Sequence, residues 1–190
     1  MADNLWYGYN DLREPFISAD IAAVTLAATA KALYPAANFP ALGPFYWGKL
    51  GKKLRIRLFG RMTTGATPGN GSFNVYYGTG ADAAGVAIMT GTPVALLANA
   101  TNLSWQAEIF VHTRSIGNAG TLFCTGRCDF NVGLIASTTA PILLPASAPA
   151  VSGACNLEAG NTNIISVQFL RSGSTAETMQ AHDIEISSLN

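Results

Sequence analysis

The chain has 190 residues, of which 49% are hydrophobic and 12% charged, against about 25% charged in an ordinary soluble domain; this suits one domain with a real core and excludes a disordered segment. Eleven basic and eleven acidic residues cancel, which excludes the footprint of a general nucleic-acid binder or a polybasic membrane-surface protein. So few charges with a mean hydropathy of +0.25 favour permanent neighbours over life as a free monomer.

The first fifteen residues, MADNLWYGYNDLREP, are acidic and aromatic. They lack the positive region and prompt apolar run of a secretory signal, so no export signal is expected. Residues 1–20 offer few alternating apolar positions but carry Trp6, Tyr7, Tyr9 and Phe16. They are read as an N-terminal arm that either folds back on its own domain or docks on a neighbour. Residues 21–190 are read as one domain. Its two most apolar stretches, 21–37 and 132–151, are broken by Lys31 and Pro35 and by Pro141, Pro145 and Pro149, whereas a membrane helix needs about 20 consecutive apolar residues.

Residues 24–33 are expected to contribute a strand, although the alanines of 22–31 would equally suit a helix. Residues 52–62 (KKLRIRLFGRM) alternate, with Leu54, Ile56 and Leu58 on one face and Lys53, Arg55, Arg57, Phe59 and Arg61 on the other; this predicts a half-buried strand. In 72–78, Phe73, Val75 and Tyr77 alternate with Asn74 and Tyr76 between turn-rich flanks. A short strand is expected at 94–97. The clearest strand is 104–114, with Trp105, Ala107, Ile109 and Val111 on one face and Gln106, Glu108, Phe110 and His112 on the other. A turn at 116–120 (IGNAG) joins it to Thr121–Phe130 as a hairpin. Residues 141–153 (PILLPASAPAVSG) are expected to be an extended crossing or edge segment because of their spaced prolines. Strands at 163–172, with Ile165, Val167 and Phe169 inward, and at 180–188, with Ile184 and Ile186 inward, complete the pattern. About eight or more short strands with turns at this spacing predict an all-β, jelly-roll-like sandwich.

The chemistry-bearing residues are sparse. The segment GTGADA at 78–83 matches the dinucleotide fingerprint G-x-G-x-x-A, but Gly91 and Pro93 break any helix after it, so it reads as a turn. Three cysteines, Cys124, Cys128 and Cys155, cannot all pair. On one strand Cys124 and Cys128 stand roughly 13 Å apart, too far for a bridge. With His112 and His182 isolated, the cysteines read as packing residues and no metal or other cofactor is expected. His182 and Asp183, adjacent on a strand, are expected to face opposite sides. No nucleophile elbow, HExxH or paired carboxylates support catalysis, so no enzyme is expected and no catalytic residue is nominated. Six of the eleven basic residues lie between Lys49 and Arg61. The alternating Lys53, Arg55, Arg57 and Arg61 read either as a cationic stripe for an acidic partner or, more simply, as a solvated face paired to neighbours such as Glu108. Phe59 and Phe110 on these polar faces point to partial cover by another subunit.

Gly51 to Arg61, Phe73 to Gly80, Trp105, Glu108, Arg114 and the Gly-x-x-Gly-Thr turn from Gly117 to Thr121 together resemble a group of small jelly-roll proteins encoded by tailed bacteriophages. The resemblance spans about residues 40–130. It implies a virion structural protein without catalytic residues, usually trimeric, that decorates the head or forms part of the tail. The resulting expectation is a homotrimer assembled in the bacterial cytoplasm and located in the virion on the outer capsid surface. Its partners would be its own copies and the major capsid protein or other virion proteins, with no nucleic acid and no membrane. The nominated contacts are Trp6, Tyr7, Tyr9, Phe16, Lys53, Arg55, Arg57 and Arg61. The alternative is a tail or fibre component that recognises a host-surface glycan or protein, with Trp47, Tyr76, Tyr77 and Asn118 as loop candidates.

Overall fold

A computed structural model describes residues 20–40, 42, 46–136, 141–145, 151–158 and 163–189. Eleven strands run in chain order: β1 (Val24–Thr25), β2 (Lys31–Ala32), β3 (Lys53–Thr63), β4 (Asn70–Gly78), β5 (Val86–Thr90), β6 (Val94–Ala95), β7 (Leu103–Ser115), β8 (Thr121–Phe130), β9 (Ile142–Leu144), β10 (Ile164–Arg171) and β11 (Thr178–Ser188). The strongest alternation yields the longest strands, because a period of two puts every apolar residue on one face of a pleated chain. Along β3, Leu54, Ile56 and Leu58 are wholly buried while Lys53, Arg55, Arg57 and Phe59 stay half-exposed.

The strands form a six-stranded sheet, β1-β11-β3-β7-β8-β9, and a five-stranded sheet, β2-β10-β4-β5, with β6 paired to β4. All pairings are antiparallel, and four of them are nested: β4 with β5, β3 with β7, β2 with β10 and β1 with β11. The nest is rolled so that β10 also meets β4 and β11 also meets β3. A long hairpin rolled on itself in this way is a jelly roll, and β8 and β9 widen one sheet beyond it. The two inner faces enclose one core in which Phe73 packs against Trp105, Phe130 and Phe169, with ring centroids 5.5, 5.7 and 5.0 Å apart. Among the described residues there is no α-helix, and a single 3-10 turn spans Ala36–Asn38; no helix is long and apolar enough to cross a membrane.

Where sequence and structure differ, the reasons are local. The expected strand at 24–33 is two dipeptide strands, β1 and β2, in different sheets. Its connecting stretch turns Leu26 and Ala30 into the core, so neither the long strand nor the helix forms. In β11 the register shifts between Ala181 and Asp183. Met179 and Ala181 are buried before the shift and Ile184 and Ile186 after it, so the extra residue of this bulge leaves neither His182 nor Asp183 buried, rather than opposed across the sheet. Beside it, a Cβ on Gly60 would lie 2.0 Å from the Gln180 carbonyl oxygen and 2.6 Å from the Trp105 ring, so only glycine lets that indole close over the strand.

The proline-rich stretch crosses an edge as expected. β9 pairs with β8, Val151 bridges Phe123, and Cys155 bridges Gly120. The Tyr77 hydroxyl donates to the Asn156 carbonyl at 2.8 Å, and Leu144, Cys155 and Leu157 are buried. The described parts of 141–158 thus close the sandwich between β8 and the other sheet. At its far end, Arg171 meets Glu177 at 2.5 Å while both are buried. The contact is ionic rather than an aligned hydrogen bond, since the Arg171 Nε–H is directed at the Leu26 carbonyl at 3.2 Å.

Candidate interaction face

Pairing register turns the alternation of single strands into rows across the outer face of the larger sheet. One row runs Lys53, His112, Phe123 and Val151; the next runs Ser187, Arg55, Phe110 and Thr125. The third runs Glu185, Arg57, Glu108, Arg127 and Leu143, and the fourth Asp183, Phe59, Gln106 and Asp129. Side chains directly opposite one another on adjacent strands lie about 5 Å apart, close enough to pair.

The third row is a ladder of alternating charge. Glu185 receives Arg55 at 2.6 Å and Arg57 at 3.2 Å, and Glu108 receives Arg57 at 3.8 Å and Arg127 at 3.5 Å. The simpler reading of the basic stripe is therefore the one realised for Arg55 and Arg57. Arg61 donates to the Asn102 carbonyl at 2.9 Å, and the Lys53 ammonium lies 5.0 Å from the centre of the Phe110 ring. The cations are side by side as alternation requires, but carboxylates neutralise the middle of the row. Trp6, Tyr7, Tyr9 and Phe16 lie outside the described residues.

Aromatic rings interrupt this polar face at three points. Arg57 lies 5.3 Å from the centre of Phe59, and Arg114 lies 4.4 Å from that of Phe123, which also meets the His112 ring edge-on at 6.1 Å. Partial burial, then the charges of Lys53 and Arg114, hold the His112 imidazolium below its usual pKa range. Leu143 and Val151 are 70% and 54% exposed at the strap side of the face. This mixture of exposed apolar side chains and arginine is what the buried centre of a protein–protein interface contains. At the other end of the face, a shallow depression of about 400 Å³ opens among Phe59, Ser104, Gln106, Asp129 and Asn131. Sequence reading missed this depression because its residues come from three strands, and only the register shows that they meet.

The remaining candidates have structural roles. Trp47 and Tyr77 are buried, Tyr76 is half-buried, and Asn118 is exposed in the β7–β8 turn, so they form no common surface. The 78–83 segment leads into no helix, and it is fastened to β2 and β10. Asp82 receives Lys31 at 2.8 Å and the Ala32 N–H at 2.9 Å, and the Gln168 amide oxygen receives the Ala83 N–H at 2.7 Å. Despite some desolvation, the Lys31 and Ala32 donors hold the Asp82 carboxyl below its ordinary range. His182 Nδ1 meets Asp20 at 2.9 Å. Cys124, Cys128 and Cys155 are free and buried. Burial pushes the Cys124 thiol up, and burial with Asp129 nearby pushes Cys128 up to about 12. No group of three or more His, Cys, Asp or Glu able to hold a metal occurs among the described residues.

No family model and no curated protein matches the chain. Among solved structures, the binding domain of botulinum neurotoxin serotype C1 superposes with a TM-score of 0.24 at 9% identity. The match covers 73% of this chain and 34% of that one, so the chain spans about a third of its length. The fold assignment therefore rests on strand order and pairing.

Proposed function

We propose that the chain is a non-enzymatic structural protein of a tailed-bacteriophage virion, a homotrimer bound to the outer surface of the head as a decoration or minor capsid protein. The observation that carries this reading is the outer face of the six-stranded sheet, where Phe110, Phe123, Leu143 and Val151 stand among arginines already neutralised by Glu108 and Glu185. When a neighbouring subunit covers such a face the apolar side chains gain contact, and the carboxylates already paired with Arg55, Arg57 and Arg127 offset part of the cost of dehydrating those cations. The low overall charge and the resemblance of residues 40–130 to phage jelly-roll proteins agree with it. Anchoring to the shell falls to Trp6, Tyr7, Tyr9 and Phe16, since the Arg55 and Arg57 charges are taken up within the sheet.

Replacing these four aromatics together by serine in the full chain is expected to leave the trimer intact and to abolish its binding to purified capsids. Unchanged occupancy on particles would overturn the anchoring role. A tail or fibre component remains the second reading, favoured by the depression at Phe59, and binding to tails instead of heads would select it.

A further inference from the structure

We propose that the Asp183, Phe59, Gln106 and Asp129 row, with the depression beside it, is a binding site for a neutral sugar residue of a glycan. A pyranose ring presents an apolar C–H face bordered by hydroxyls. Holding it takes an exposed aromatic surface with directional hydrogen-bonding groups at its rim. The register puts Phe59 between Asp183 and Gln106, with Asp129 next in line. Phe59 is half-exposed on a face otherwise rich in charge.

The polar groups around the ring are already oriented. Gln106 Nε2 donates to Asp129 Oδ2 at 2.9 Å, which fixes the carboxylate and leaves its other oxygen to accept a hydroxyl. Asn131 Oδ1 accepts the Gly133 N–H at 3.0 Å, leaving the amide N–H groups to donate. The depression, about 400 Å³ and open to solvent, has room to receive one face of a single sugar ring rather than to enclose it. The site stands mostly on paired strands, so binding would need little ordering.

Charge selects the class of sugar. Carboxylates lie at both ends of the row, at Asp183 and Asp129. Arg57, 5.3 Å from the Phe59 ring centre, is held by Glu185 and Glu108. Arg61, opposite Ser104 in the next row, donates to the Asn102 carbonyl, so among the described residues here the two carboxylates outnumber the one cation not paired to a carboxylate. An acidic sugar would bring like charge to both carboxylates, whereas a neutral hexose offers them hydroxyl donors. The site lies about 20 Å along β3 from the Phe123 end of the face, at about 3.3 Å per residue, so a neighbouring subunit could cover one end and leave the other open. The inference does not depend on virion membership.

The test uses the full-length protein on an array of neutral and sialylated glycans, followed by calorimetric titration with the best neutral glycan. Neutral, hexose-terminated glycans are expected to bind in preference to sialylated ones. Phe59→Ala and the near-isosteric Asp129→Asn are each expected to weaken the titrated affinity by at least about tenfold, roughly the loss of one good contact, at unchanged oligomeric mass. Ala87→Ser, exposed on β5 of the other sheet, is expected to bind as the parent does. Absence of any neutral-glycan binding, a preference for sialylated glycans, or undiminished binding by Asp129→Asn would overturn the proposal. Any of these would leave the oligomeric reading standing, and a monomer binding neutral glycans through Phe59 would do the reverse.

Discussion

Glu177→Gln isolates the most consequential polar contact in the fold. Glu177 is fully buried and faces Arg171, itself 9% exposed, at 2.5 Å. Arg171 also donates to the carbonyls of Leu26 and Gly173, and Glu177 accepts from the Thr175 hydroxyl. The pair thus ties the β1–β2 connection to the end of β10 and the turn into β11. Glutamine keeps the size and removes the charge, leaving a buried guanidinium without its counterion. Breaking a buried pair from one side costs about 3–5 kcal/mol, and at this chain length each kcal/mol moves Tm by about 2–4 °C. A fall of roughly 6–20 °C in Tm is expected, with a matching shift of the urea midpoint at unchanged slope. The double variant Arg171→Met with Glu177→Leu, which removes both charges, is expected to recover most of the loss. A Glu177→Gln protein within about 0.5 kcal/mol of the parent, the range of an ordinary surface substitution, would refute the assignment of a buried ion pair.

On the outer face, Arg127→Ala should change stability by less than about 1 kcal/mol, because its contact with Glu108 is solvent-exposed; a larger loss in urea unfolding would mean that the ladder carries the fold. His112 has its pKa lowered in the folded state, so the unfolded chain binds more protons from near the ordinary value of 6.5 down to the lowered one. Stability therefore rises with pH across that window and is lost as pH falls through it. His112→Gln should flatten that part of a Tm-against-pH curve, and an unchanged slope would contradict the cause. The buried thiols, with Cys124 and Cys128 pushed up, should resist a thiol-specific reagent at pH 8 in the native protein and react fully in denaturant; rapid native labelling would contradict their burial.

The long strands were legible because each has one dry and one wet face. Leu54, Ile56 and Leu58 against Arg55 and Arg57 leave little freedom in how residues 52–62 can lie. β5 was not legible: Ile88 and Met89 are buried side by side, which breaks the alternation. Nor was the burial of Ser166 and Gln168 in β10, since Gln168 is satisfied by the Ala81 carbonyl and the Ala83 N–H of a loop far away in sequence. The bulge at His182 hides for the same reason, because one extra residue changes no composition but shifts every later side chain to the other face. Of the site, alternation foretold which residues share the outer face of β3 and of β7. The pairing of Arg57 with both Glu108 and Glu185 and the meeting of Phe59 with Asp129 depend on register, which a single sequence does not state.

The central claim is that this jelly roll is a subunit held by copies of itself. The mass of the purified full-length chain by light scattering, across a dilution series, tests it most directly. A particle of three times the 19.8 kDa chain mass, stable on dilution, is the expected result; a strict 19.8 kDa monomer at every concentration would contradict the claim.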